Sequence, residues 1–136
     1  MTDVDWAGLR SAAIEVAGNA YAPYSGFLVG AAALVDDGRV VTGCNVENAS
    51  YGVGLCAECG LVSNLRSSGG GKLVAISIVH RFTADSHDAE GVAPCGRCRQ
   101  ILYEFGGADL AVEAGNGVVS LSSLLPDAFG PENLFD

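Results

Sequence analysis

Basic residues are scarce in this chain. One lysine, Lys72, and six arginines stand against 16 acidic residues, for a formal charge of −9. The pI is near 4.4. Phosphate backbones are held by clustered Lys and Arg, so no nucleic-acid polymer is expected as a partner. Long apolar runs are missing too. The longest, around Phe27–Val35, falls short of the roughly 18 residues of a membrane span and contains glycine. The start, Met1-Thr2-Asp3-Val4-Asp5-Trp6, is acidic, with no apolar run behind a basic one, and does not have the form of a signal peptide. The expectation is a soluble, cytoplasmic chain with no membrane partner. A disulfide framework also lacks support, because the cysteines number five, an odd count, and no export signal accompanies them.

What is present is enough to fold. The chain has 136 residues, 49% hydrophobic and 17% charged, which suits one globular domain over 1–136. Apolar Trp6, Leu9, Ala13, Val16, Ala17 and Ala20 recur at helical spacing over Asp5–Ala20. Pro23 and Gly26 then break the pattern. Phe27–Val35 and Arg39–Val46 read as strands joined by a tight Asp36-Asp37-Gly38 turn. Glu47–Gly54 is loop, Leu55–Leu65 helix, and Leu73–Val79 a strand apolar enough to be covered on both faces. Arg81–Ala93 is expected as a polar loop, Cys95–Phe105 as a helix opened by Pro94, and Asp109–Ala114 as a strand. Leu121–Asp136 reads as a short helix and irregular tail. The order α-β-β-α-β-α-β implies an α/β layer structure with a mixed sheet.

Four of the five cysteines form two CxxC pairs, Cys56-Ala-Glu-Cys59 and Cys95-Gly-Arg-Cys98. Both pairs sit at expected helix starts, where free N–H groups and the helix dipole favour thiolate over thiol. The pattern points to Zn²⁺. It leaves the type of site open. A closed Cys₄ site would use Cys56, Cys59, Cys95 and Cys98. An open site would use Cys56, Cys95 and Cys98 and leave Cys59 out. Glu58 favours the open form, because a catalytic zinc needs a nearby base that is not a ligand. On a regular helix Glu58 points away from Cys56, so both reach one place only if Cys56 lies at the helix entry. A dithiol redox role is disfavoured, since a carboxylate between the thiols raises their pKa.

Cys56-Ala57-Glu58 followed by Pro94-Cys95-Gly96-Arg97-Cys98-Arg99-Gln100 resembles the signature of the zinc-dependent cytidine deaminases. Tyr24–Ala32, Asn45–Gly52 and Leu125–Pro131 are similar to that family's substrate, ribose and C-terminal segments, in its small homotetrameric class. The resemblance implies a three-layer cytidine-deaminase-like fold, with a sheet of about five strands flanked by helices. It implies one Zn²⁺ per chain on Cys56, Cys95 and Cys98, with Glu58 as proton shuttle. Phe27 would pack near the pyrimidine, Asn45 and Glu47 would bond the ribose hydroxyls, and Ala57 would offer its backbone to the base. Ala49, Tyr51 and Phe129 would reach a neighbouring subunit's site, making a homotetramer with shared active sites. The implied reaction is hydrolytic deamination of a free nucleoside, cytidine or deoxycytidine. A related deaminase acting on another aminated ring, and a structural Cys₄ module, are the alternatives.

In one place the sequence departs from the family's pattern. An arginine usually follows the Cys-Ala-Glu triplet, and here the position is Cys59. Three thiolates around one Zn²⁺ leave a net negative charge, so Arg97 or Arg99 is expected to offset it. Of the remaining residues, Cys44 is expected to be a buried small hydrophobe, Trp6 core, and His80 and His87 surface or structural. Leu121–Leu125 fits either core or subunit interface.

Overall fold

The computed structural model describes residues 3–135. Met1, Thr2 and Asp136, the outer ends of the acidic start and of the tail, lie outside the described residues. The first helix, α1 (Trp6–Ala17), is capped by Asp5, whose carboxylate accepts from the Gly8 N–H at 2.9 Å. It ends at Ala17, with Gly18 as C-cap, three residues before the apolar pattern does.

Strands β1 (Leu28–Val35) and β2 (Val40–Cys44) form the expected hairpin, with Leu34 opposite Val40 and Gly38 at a φ of 96° in the turn. A short 3₁₀ turn over Tyr51–Val53 precedes helix α2 (Ala57–Ser67). Strand β3 (Leu73–Arg81) follows, then β4 (Ala89–Gly91), α3 (Gly96–Gly106), β5 (Ala111–Ala114), β6 (Gly117–Ser120) and the short α4 (Leu121–Leu124).

All six strands enter one mixed sheet, ordered β2-β1-β3-β5-β6, with β4 beside β3. One edge of β3 serves two neighbours. Ala75–Ser77 pair in parallel with β5, and Val79–Arg81 pair antiparallel with β4. The expected sheet of about five strands thus gains a sixth, because β3 is longer than β5 and its free end takes a partner from the segment expected as loop.

Side chains alternate across the sheet, and each face receives its own helices. Ala32, Ala75 and Val79 pack with Leu9 and Ala13 of α1. Ala31, Ala33, Ile76 and Ile78 pack with Leu61 and Leu65 of α2 and Leu102 of α3. Gly43 permits the close seat of α2 on β2: a Cβ there would overlap the Ala57 carbonyl oxygen and the Leu61 nitrogen. This seat fixes where α2 begins. No helix among the described residues is long and apolar enough to cross a membrane.

Candidate active site

Cys56 and Cys95 are the N-cap residues of α2 and α3, each with extended backbone (ψ 159° and 166°). Both therefore stand just outside regular helix, at ends whose first N–H groups have no intrahelical acceptor. Cys98 lies one turn into α3 and is fully buried. The sulfurs of Cys56, Cys95 and Cys98 lie within 4.8 Å of one another. Those of Cys56 and Cys95 are 3.9 Å apart. Two sulfurs about 2.3 Å from one zinc at the tetrahedral angle would be separated by about 3.8 Å, so the spacing fits. Cys59 is half-buried and is not part of the cluster. The closed four-sulfur alternative thus lacks its fourth ligand.

Glu58 occupies the first turn of α2 and is only 3% exposed. Because Cys56 caps the helix in extended conformation, the carboxylate reaches the same cluster. Burial pushes its pKa up, against the pull of its own backbone N–H and of the Cys98 thiol. No ion pair among the described residues involves Glu58. The thiols respond to one another and to this carboxylate. Burial, then Glu58, holds the Cys98 thiol well above the usual range, and burial raises that of Cys56. At Cys95 burial also raises, but hydrogen bonds from the Cys98 N–H and the neighbouring thiols outweigh it, and the pKa falls. Three thiols converging on one point would suit a cation: a divalent ion removes the mutual penalty of holding them ionised together.

The cluster forms the floor of a cleft of about 420 Å³, walled by Phe27, Asn45, Glu47, Tyr51, Ala57 and Arg97. The cleft therefore brings together ten of the expected residues: these six, Glu58 and the three cysteines. Val29, Val46, Leu55, Ile78, Val92 and Ala93 add to its apolar lining. No local motif marks them; Val29 and Ile78 share the cleft face through the register of β1 against β3.

The chain matches a family model described as the cytidine and deoxycytidylate deaminase zinc-binding region over residues 7–114. It is 56% identical to a cytidine deaminase of Mycobacterium tuberculosis over 134 residues, 98% of this chain and 96% of the relative. The chain belongs to the cytidine and deoxycytidylate deaminase family. A cytidine deaminase of Halalkalibacterium halodurans is 43% identical over 91% of this chain and 93% of its own. The crystal structure of the Mycobacterium tuberculosis cytidine deaminase superposes with a TM-score of 0.85 at 55% identity, covering 94% of this chain and 99% of that one. The three-layer α/β fold expected from the sequence is thus the family's fold, and the family's zinc-binding region contains the Cys56, Cys95 and Cys98 cluster.

Some expected residues have partners within the chain. Asn45 donates from Nδ2 to the Phe27 carbonyl (2.8 Å) and accepts at Oδ1 from the Val29 N–H (2.9 Å). Glu47 accepts from the N–H groups of Tyr24 (3.0 Å) and Ser25 (3.2 Å) and from the Ser25 hydroxyl. The Ser25 hydroxyl first, then these N–H groups, holds its carboxyl below the usual range. Arg99 donates to the carbonyls of Pro94 (2.8 Å) and Leu124 (2.9 Å), so it braces the entry to α3. Ala49 and Phe129 are exposed and lie outside the cleft.

Proposed function

We propose that this protein catalyses hydrolytic deamination of free cytidine and deoxycytidine, giving uridine or deoxyuridine and ammonia, as a step of pyrimidine salvage in the cytoplasm. One observation carries the reading: a buried carboxylate, Glu58, sits against a three-thiol cation site at the bottom of a nucleoside-sized cleft. Cys56, Cys95 and Cys98 would hold one Zn²⁺, which supplies Lewis acidity toward a water molecule. Glu58 takes the proton from that water as oxygen adds to C4 of the base. It delivers a proton to N3, and then one to the departing amine. The balance is cytidine plus water to uridine plus ammonia. Burial suits Glu58 to this role, because it raises the carboxyl pKa and makes the carboxylate a better proton acceptor.

The walls divide the work of recognition. Phe27 lies beside the pyrimidine, and the N–H of Ala57, at the helix start, is free to meet it. Asn45 and Glu47 keep acceptor capacity for the ribose hydroxyls while fixing the Phe27–Val29 and Tyr24–Ser25 backbone. Arg97, exposed on the cleft wall, offsets the negative charge of a three-thiolate zinc site. Arg99 braces the Pro94–Cys95 turn instead.

The reading includes a homotetramer. Tyr51 is 80% exposed and Phe129 60%. Aromatic side chains so bare suit burial against a second copy. In this assembly Ala49, Tyr51 and Phe129 of one chain complete a neighbour's site. An absorbance assay with cytidine tests the function: loss of the cytidine band with stoichiometric uridine and ammonia is expected, and no turnover by zinc-loaded protein contradicts it.

A further inference from the structure

His80 lies outside the catalytic constellation, yet it touches the wall of the cleft. Its ring is stacked on that of Phe27, with centroids 3.8 Å apart and planes at 22°. Phe82 meets it edge-on, at 5.1 Å and 87°. The register explains the contact. His80 stands opposite Val29 on β1, on the same face of β3 as Ile78, and both Val29 and Ile78 line the cleft. His80 itself does not line it. Phe27 precedes β1, outside the ladder, and is 42% exposed, so its ring needs a support to keep one orientation. Asn45 fixes only its carbonyl.

We propose that His80 is a positioning residue for the base subsite: by covering one face of Phe27 it aims the other face and edge of that ring into the cleft. The inference rests on the cytidine reading. An exposed phenyl samples several rotamers, whereas a stack on a half-buried imidazole, itself buttressed by Phe82, selects one. The ordering cost is then met in the fold and not on binding. The contribution is to holding the pyrimidine, common to substrate and product, and not to the proton transfers at Glu58.

The test compares wild type with His80→Ala, His80→Leu and His80→Phe, as zinc-loaded protein, by steady-state kinetics with cytidine, by uridine inhibition and by thermal melting. Alanine and leucine are expected to raise KM and the uridine inhibition constant together, by roughly three- to tenfold, with kcat within about twofold of wild type. Phenylalanine, which restores a flat ring, is expected to stay within about twofold in all three constants. Leucine fills the volume without a π-face, so wild-type behaviour in that variant overturns the proposal. So does a fall in kcat at an unchanged uridine constant. Should wild type fail to deaminate cytidine, the functional reading fails first. The stack is then judged by the Phe27 ring-proton resonances, which are expected to shift in the alanine and leucine variants; unchanged resonances refute it.

Discussion

The sulfurs of Cys56 and Cys95 lie 3.9 Å apart although 39 positions separate them in the chain. Each caps a different helix, and both helices pack on one face of the sheet, so the two N-terminal ends converge. Cys98 joins them from the next turn, and Cys59 does not. Replacement of Cys98 by serine should therefore abolish stoichiometric zinc, whereas Cys59→Ser should keep one zinc per chain and full deamination. Metal analysis of the two purified variants checks this. Loss of zinc from Cys59→Ser would restore the four-sulfur reading.

The geometry of this site depends on a glycine. Gly43 of β2 lies under the first turn of α2, where any Cβ overlaps the backbone of Ala57 and Leu61. Gly43→Ala should destabilise the fold by about 1–3 kcal/mol, as overpacking of a filled interior does. It should also weaken zinc binding, because Ala57 links Cys56 to Glu58. Denaturant unfolding and a competitive chelator titration measure the two effects.

The two arginines should separate by assay. Arg99→Gln leaves the Pro94 and Leu124 carbonyls without their donor, so it should lower the melting temperature, with a loss of about 1–3 kcal/mol. Arg97→Gln should melt as wild type does and lose turnover by roughly tenfold or more. The opposite pattern would assign the charge-offsetting role to Arg99.

Away from the cleft, Arg10 donates to both carboxylate oxygens of Glu113 (3.0 and 2.6 Å), and the buried Ser77 hydroxyl adds a third bond (2.9 Å). Arg10 first, then Ser77, holds the Glu113 carboxyl below its ordinary value of 4.5. A carboxylate lowered in the folded state stabilises fully above its unfolded pKa and loses that contribution as pH falls through the folded one. Wild type should therefore lose stability below about pH 4.5 more steeply than Glu113→Gln. Thermal melts from pH 6 to 3 compare the slopes.

The sequence made the chemistry legible and part of the sheet obscure. Two CxxC pairs at helix starts, with a glutamate inside the first, specify a local arrangement that short-range geometry enforces. Helix starts near both cysteines were legible there, whereas the helix read over Leu55–Leu65 begins two residues later, at Ala57, and so leaves Cys56 at the N-cap. The hairpin at Asp36-Asp37-Gly38 was equally local. Strand β4 was not: Ala89-Glu90-Gly91 has no strand character, and it pairs only because β3 extends to Arg81 beyond the end of β5. Strand β6 did carry a signal. Gly115-Asn116 makes a two-residue turn between Ala114 and Gly117, whose φ is 88°, a hairpin mark that the short flanking strands concealed. The stack of His80 on Phe27 depends on register between β1 and β3, which no local pattern carries.

The central claim is that Glu58 moves protons beside a zinc it does not ligate. Zinc content and cytidine turnover of Glu58→Gln, measured on one preparation beside wild type, test it most directly. The account predicts one zinc per chain, an unchanged fold and at least about a hundredfold lower turnover. Wild-type turnover in that variant would contradict it, as would loss of the metal together with the carboxylate.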